Sequence, residues 1–167
     1  GNVTYLKPSN LKELKNYLND VKDFQFLAGG TDLNLNRPII NQKEDNIICL
    51  DSIKELNHIK HHKEKIELGG AVTIENFLEA IKSKMPQLIE ILQRFGSPQI
   101  RNQGTIGGNL CTSSPIGDIA PILLVLNSDL KVFGRNGFKK INIKNFFKDY
   151  RKNILKKDEI ISSLELP

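Results

Sequence analysis

The chain has 167 residues, 39% of them hydrophobic and 26% charged, the balance of a folded protein with one domain or two small subdomains sharing a cleft. No apolar run approaches the roughly 20 residues of a membrane helix, and the opening Gly1-Asn2-Val3-Thr4 lacks the pattern of a signal peptide. The expectation is a cytoplasmic protein, and the leading Gly suits a cleavage scar or a domain excised from a longer chain. The net charge of +5 and a pI of about 9.2 raise the question of nucleic acid. The cations are scattered among acidic residues, however, with no Trp and no basic–aromatic interleaving, which disfavours that class. A mild positive field equally suits a pyrophosphate ligand or an acidic partner.

In chain order, Asn10 with Glu13 three residues on marks a helix start, and Leu11, Leu14, Tyr17 and Leu18 share one face of that helix. Phe24 to Ala28 reads as a short buried strand stopped by Gly29-Gly30, and Ile47 to Leu50 as a second strand. Together they make a small β/α unit over roughly the first 50 residues. Ile59 to His61 and Ile66 to Leu68 read as paired strands around a charged turn that ends at Gly69-Gly70. Thr73 caps a helix reaching about Lys82, and Pro86 opens another whose apolar period runs through Phe95. Gly96 to Gly117 reads as one long loop. A buried helix from Ile119 to Leu126 follows, then strands at Leu130–Phe133, Ile141–Ile143 and Ile160–Leu166. The pattern is α+β, not a regular βαβ series.

Two glycine-rich segments stand out. Leu27-Ala28-Gly29-Gly30-Thr31-Asp32-Leu33 directly follows a strand, where glycines let the backbone approach a ligand and present N–H groups to a phosphate. The same segment also reads as a plain strand-ending turn. It lacks the Gly-Lys-Ser/Thr of a Walker loop and the third glycine of a dinucleotide fingerprint, which disfavours a Rossmann domain. The second segment, Gly104 to Asp118, is rich in Gly, Ser, Thr and Asn. It can surround a polar, extended ligand with hydroxyl and amide groups, and Asp118 can either cap the next helix or accept from ligand hydroxyls. Two sets of backbone donors are expected to converge on one diphosphate. Cys49 and Cys111 lack metal or cluster spacing, and His58, His61 and His62 gather in a surface hairpin. With no Ser/His/Asp constellation, redox chemistry would have to come from a cofactor.

Phe26-Leu27-Ala28-Gly29-Gly30-Thr31-Asp32-Leu33, Gln99 to Asn109, Ser114-Pro115-Ile116-Gly117-Asp118, Phe146 to Lys152 and Glu159 to Pro167 together resemble the FAD domain of molybdopterin-dependent hydroxylases. That family includes xanthine dehydrogenase, aldehyde oxidase and the carbon monoxide dehydrogenase medium subunit, and the Ser-Pro-Ile-Gly-Asp ending leans towards the xanthine dehydrogenase branch. The resemblance implies a PCMH-type fold of two subdomains, residues 1–52 and 53–167, with FAD between them. It also implies a C-terminal family domain that this sequence lacks. It places Phe26 to Leu33 on the pyrophosphate and flavin border and Phe95 on the adenine half. Thr105, Ile106, Gly107, Gly108, Asn109 and Ser114 would continue the cradle, with Leu110 and Cys111 near the isoalloxazine. Asp118 would take a ribityl hydroxyl and Ile161 would pack on the cofactor. The implied partners are a [2Fe–2S] domain and a molybdopterin-binding subunit on other sequence, with NAD⁺ or oxygen as acceptor. A cofactor-free assembly domain of the same fold is the alternative.

Overall fold

The computed structural model describes residues 3–33 and 46–167. In its first part, β1 (Thr4–Leu6), β2 (Gln25–Leu27) and β3 (Asn46–Cys49) form a parallel sheet in the order β1-β3-β2. Helix α1 (Leu11–Asp20) connects β1 to β2, and its Leu14 and Leu18 are fully buried in a cluster with Phe24 and Ile48. The Asn10 side chain accepts from the Glu13 N–H at 2.9 Å. The Glu13 carboxylate reaches back one residue further than a capping box requires, to the Ser9 N–H at 2.8 Å and the Ser9 hydroxyl at 2.9 Å. The start at Gly1-Asn2 and the middle of the expected N-terminal β/α unit, residues 34–45, lie outside the described residues.

The larger sheet is antiparallel, in the order β4-β5-β10-β6-β7, with β4 at Ile59–His61, β5 at Ile66–Gly69, β6 at Asp129–Gly134, β7 at Gly137–Asn142 and β10 at Ile160–Leu166. Alternation sets its inner face: Ile66 and Leu68 are fully buried while Glu67 points the other way, towards His58 at 3.0 Å. Against that inner face lie α2 (Ile74–Ile81), α3 (Pro86–Gln93), α5 (Ile106–Thr112) and α6 (Ile119–Val125), while α4 (Pro98–Gln103) packs on α2. A small ribbon, β8 (Phe147–Asp149) with β9 (Lys152–Asn153), precedes β10. Among the described residues no helix is long and apolar enough to cross a membrane.

Two stretches differ from the sequence reading. The expected loop from Gly96 to Gly117 holds α4 and α5. Ser97 and Thr105 cap them by accepting from the Ile100 and Gly108 N–H groups, Pro98 occupies the first turn of α4, and Ile106 and Leu110 are buried one turn apart. The glycines of α5 lower its intrinsic helix propensity, and burial of this narrow face overrides it. The strand expected at Ile141–Ile143 is instead the end of β7. Its hairpin turns on Gly137 at φ +91°, and Ile143 opens a 3₁₀ turn whose N–H donates to the Ser128 carbonyl at 3.0 Å.

Candidate cofactor cleft

Three backbone segments meet at one place. The first glycine turn leaves β2, with Gly30 in the left-handed region at φ +72°, where a side chain would be strained. Gly29 lies so close to the Gln103 carbonyl that a Cβ there would overlap it, and the Thr31 hydroxyl stands over Gly104. The second glycine segment is zipped to residues 70–74: Ile74 N–H donates to Gly104 O at 2.9 Å, Ile106 N–H to Val72 O at 3.0 Å and Gly107 N–H to Gly70 O at 2.9 Å. Gly70 in turn donates to Ser162 O at 2.9 Å, and its Cα packs on the Ile161 carbonyl of β10. Glycine at 29, 70 and 107 therefore serves close packing, since a methyl group at any of them would strike backbone.

Between these segments opens a cavity of about 610 Å³, within the range typical of small-molecule sites. Phe26, Ala28, Gly29, Gly30, Thr31, Asp32 and Leu33 line it from the first turn. Thr105, Gly107, Gly108, Asn109, Cys111 and Ser114 line it from the second, with Phe95 and Ile161 completing the expected set. Four expected residues lie outside the lining. Leu27 is occupied in the small sheet, where its carbonyl accepts from Leu50 N–H at 2.8 Å. Ile106 and Leu110 are buried in the main core. Asp118 is exposed beside Gly117, and its side chain makes no capping hydrogen bond, because its own backbone is already helical (φ −79°, ψ −24°) whereas a capping residue is extended.

The donors are distributed differently from the two converging sets of amides that the sequence suggests. At the second turn the N–H groups of Ile106, Gly107 and Gly108 are committed to Val72 O, Gly70 O and the Thr105 hydroxyl, as buried amides at a helix start must be. This turn offers the cleft the Asn109 side-chain amide, which has no hydrogen-bond partner among the described residues, and the bare Cα of Gly108. A Cβ on Gly108 would meet only the Thr105 hydroxyl, at 2.8 Å, and would otherwise stand in open space. At the first turn the N–H groups of Gly29, Gly30 and Thr31 donate to no described residue. The first glycine turn and the bare Gly108 wall thus border the same cleft.

The lining also holds apolar side chains, those of Phe26, Leu50, Leu56, Ala71, Leu155, Ile160 and Ile161. Most of these, like Gly70 and the closing segment Asn153 to Glu159, escaped the sequence reading. Gly69-Gly70 was visible there only as a strand end, although a second glycine pair beside two glycine-rich segments is the signal that could have exposed it. Phe95 is held from behind by Arg101, whose guanidinium donates to the Gln93, Phe95 and Gly96 carbonyls and pairs with Glu75 at 2.6 Å. Cys111 exposes surface to the cleft, yet the surrounding walls desolvate its thiol and hold its pKa above the ordinary range, with a backbone hydrogen bond from Ile161 opposing. It is therefore a thiol and not a thiolate at neutral pH. Among the described residues no group of three or more His, Cys, Asp or Glu side chains could hold a metal.

The family described as FAD binding domain in molybdopterin dehydrogenase matches residues 1–167. The nicotinate dehydrogenase FAD-subunit of Eubacterium barkeri is 34% identical over 168 residues, covering 96% of this chain and 56% of that protein. The xanthine dehydrogenase/oxidase of Gallus gallus is 28% identical over 177 residues, covering 99% of this chain and 13% of that protein. The chain thus spans from about an eighth to just over half the length of these relatives. In fold it is similar to carbon monoxide dehydrogenase from Hydrogenophaga pseudoflava, with a TM-score of 0.91 at 22% identity over 100% of this chain and 59% of the other. With the matched region running end to end and the glycine-walled cleft in place, the chain belongs to the family of FAD binding domains in molybdopterin dehydrogenases.

Proposed function

We propose that the chain is the flavin module of a xanthine-dehydrogenase-like molybdenum hydroxylase, an oxidoreductase. In that assembly it takes electrons from [2Fe–2S] clusters and passes them to NAD⁺ or oxygen, while molybdopterin and the clusters reside on other sequence. The fold is of the PCMH type, with residues 1–52 and 53–167 as the two subdomains. The observation that carries the reading is a single cleft with two kinds of lining, glycine turns and apolar side chains. A dinucleotide with a charged diphosphate and a flat ring system has the same two parts.

Gly29, Gly30 and Thr31 donate to the diphosphate, Gly108 admits it by lacking a side chain, and Asn109 and Ser114 reach the polar groups beside it. Phe26 and Ile161 flank the ring, and Phe95 packs on the adenine half. Asp118 reaches a ribityl hydroxyl by swinging in from its exposed position. A bound flavin supplies chemistry that accepts one electron or two. This chain's residues bind it, orient it and keep water from its ring face. The open cavity and the uncapped Asp118 favour this reading over a cofactor-free assembly domain of the same fold.

Titrating the purified chain with FAD tests the reading. A yellow complex with a perturbed flavin spectrum is expected, and no binding at tens of micromolar FAD would refute it. Cys111 supplies a second readout. Its alkylation by iodoacetamide at pH 8 should run well below the rate of a free thiol, because its raised pKa keeps the thiolate scarce, and saturating FAD should suppress it further. Peptide mass spectrometry separates this site from buried Cys49.

A further inference from the structure

The far end of the cleft is closed by residues 153–159, which cross from the end of α5 to the start of β2. At one side the Asn153 amide donates to Cys111 O at 2.9 Å and to the Ser113 hydroxyl at 3.1 Å. At the other, Lys157 lies 3.6 Å from Asp23 and 5.9 Å from the Phe24 ring. The backbone between is pinned: Leu155 N–H donates to the Asn153 side chain at 3.0 Å, Glu159 N–H to Lys156 O at 3.0 Å, and Arg135 N–H to the Asp158 carboxylate at 3.3 Å.

Four charged residues line the cavity: Asp32, Lys156, Lys157 and Glu159. Asp32 belongs to the first glycine turn, which leaves the C-terminal end of β2. Glu159 is neutralised by Lys139, whose ammonium sits 2.7 Å from both of its oxygens. Lys156 makes no ion pair among the described residues, and Lys157 has only its long contact to exposed Asp23. Two cations without a close acidic partner among the described residues therefore line the cleft from a pinned backbone that runs from the end of α5 to the start of β2, whereas the Gly29–Thr31 turn leaves the other end of β2.

We propose that Lys156 and Lys157 form a cationic end wall that stabilises the negative charge an isoalloxazine ring acquires when it is reduced in this cleft. The inference rests on the reading above and deepens it. Two electrons and one proton taken up by the ring leave it one negative charge richer, so nearby cations favour the reduced over the oxidised form. Occupation of the cleft excludes water and strengthens this field, while salt weakens it where it is exposed. The two lysines raise the reduction potential of the bound flavin and leave the diphosphate contacts to the glycine end.

The test is the midpoint potential of FAD bound to the whole chain, measured with dithionite as electron source and a reference dye. The Lys156→Gln/Lys157→Gln variant should show a more negative potential than the parent. Lys156→Arg/Lys157→Arg should restore it, and the gap should narrow at high salt. An unchanged potential in the glutamine pair with FAD still bound would overturn the inference. So would a glutamine pair that loses FAD yet holds riboflavin, because that places the lysines on the diphosphate. Should the glutamine pair hold neither flavin, the two single glutamine variants carry the same measurement. A parent chain that holds no FAD sinks the flavin reading itself, an outcome distinct from the other two.

Discussion

Gly108→Val is expected to weaken FAD binding by at least about 100-fold, roughly 2.7 kcal/mol, while the protein stays folded. Position 108 lies in the first turn of α5, and a side chain there projects into open cleft with only the Thr105 hydroxyl in its way. Displacing that hydroxyl weakens a helix cap, a cost of about 1 kcal/mol. Replacing glycine within a helix recovers a fraction of it, even with a β-branched residue. The net change in Tm should therefore be no more than a few degrees, with the far-UV spectrum unchanged and the flavin titration flat. A variant that binds FAD like the parent would place the diphosphate elsewhere.

Gly29→Val should behave differently, although the sequence alone puts the two glycines in the same role. A Cβ at 29 overlaps the Gln103 carbonyl, which belongs to the C-terminal end of α4 and cannot swing aside as a side chain can. The two glycine segments must separate, which undoes the docking of the small sheet on the second segment. Overpacking against backbone is expected to cost about 3 kcal/mol or more, lowering Tm by roughly 6–12 °C for a chain of this size. FAD binding should fall as a consequence. The diagnostic is that stability drops in the absence of FAD, as calorimetry of the ligand-free protein shows directly. An unaltered melting curve would mean that the two turns do not touch.

The contrast between these glycines shows where sequence reasoning succeeds and where it stops. Helices α1 and α2 and the β4–β5 hairpin were legible because apolar period, cap and turn agree locally: Asn10 before Leu11, Thr73 before Ile74, alternation at Ile66 and Leu68. α5 was not, because glycine content argues against a helix, and the features that favour one, Thr105 as cap with Ile106 and Leu110 one turn apart, need tertiary burial to count. The glycine turns were recognisable as candidate ligand loops. Which of them has its donors tied up was not, since that depends on the pairing of residues 70–74 with 104–107, a long-range contact. The apolar lining of the cleft was the least legible part. Leu50, Leu56, Ala71 and Ile160 come from separate elements and carry no motif.

One cleft, bordered by the Gly29–Thr31 turn and the bare wall at Gly108, is expected to receive one dinucleotide. A crystal structure of the chain grown with FAD tests it most directly. Phosphate oxygens are expected within hydrogen-bond distance of the Gly29, Gly30 or Thr31 N–H groups and passing over the Gly108 Cα, with the ring against Phe26 and Ile161. Density for FAD in any other place, or a diphosphate turned away from both glycine segments, would contradict it.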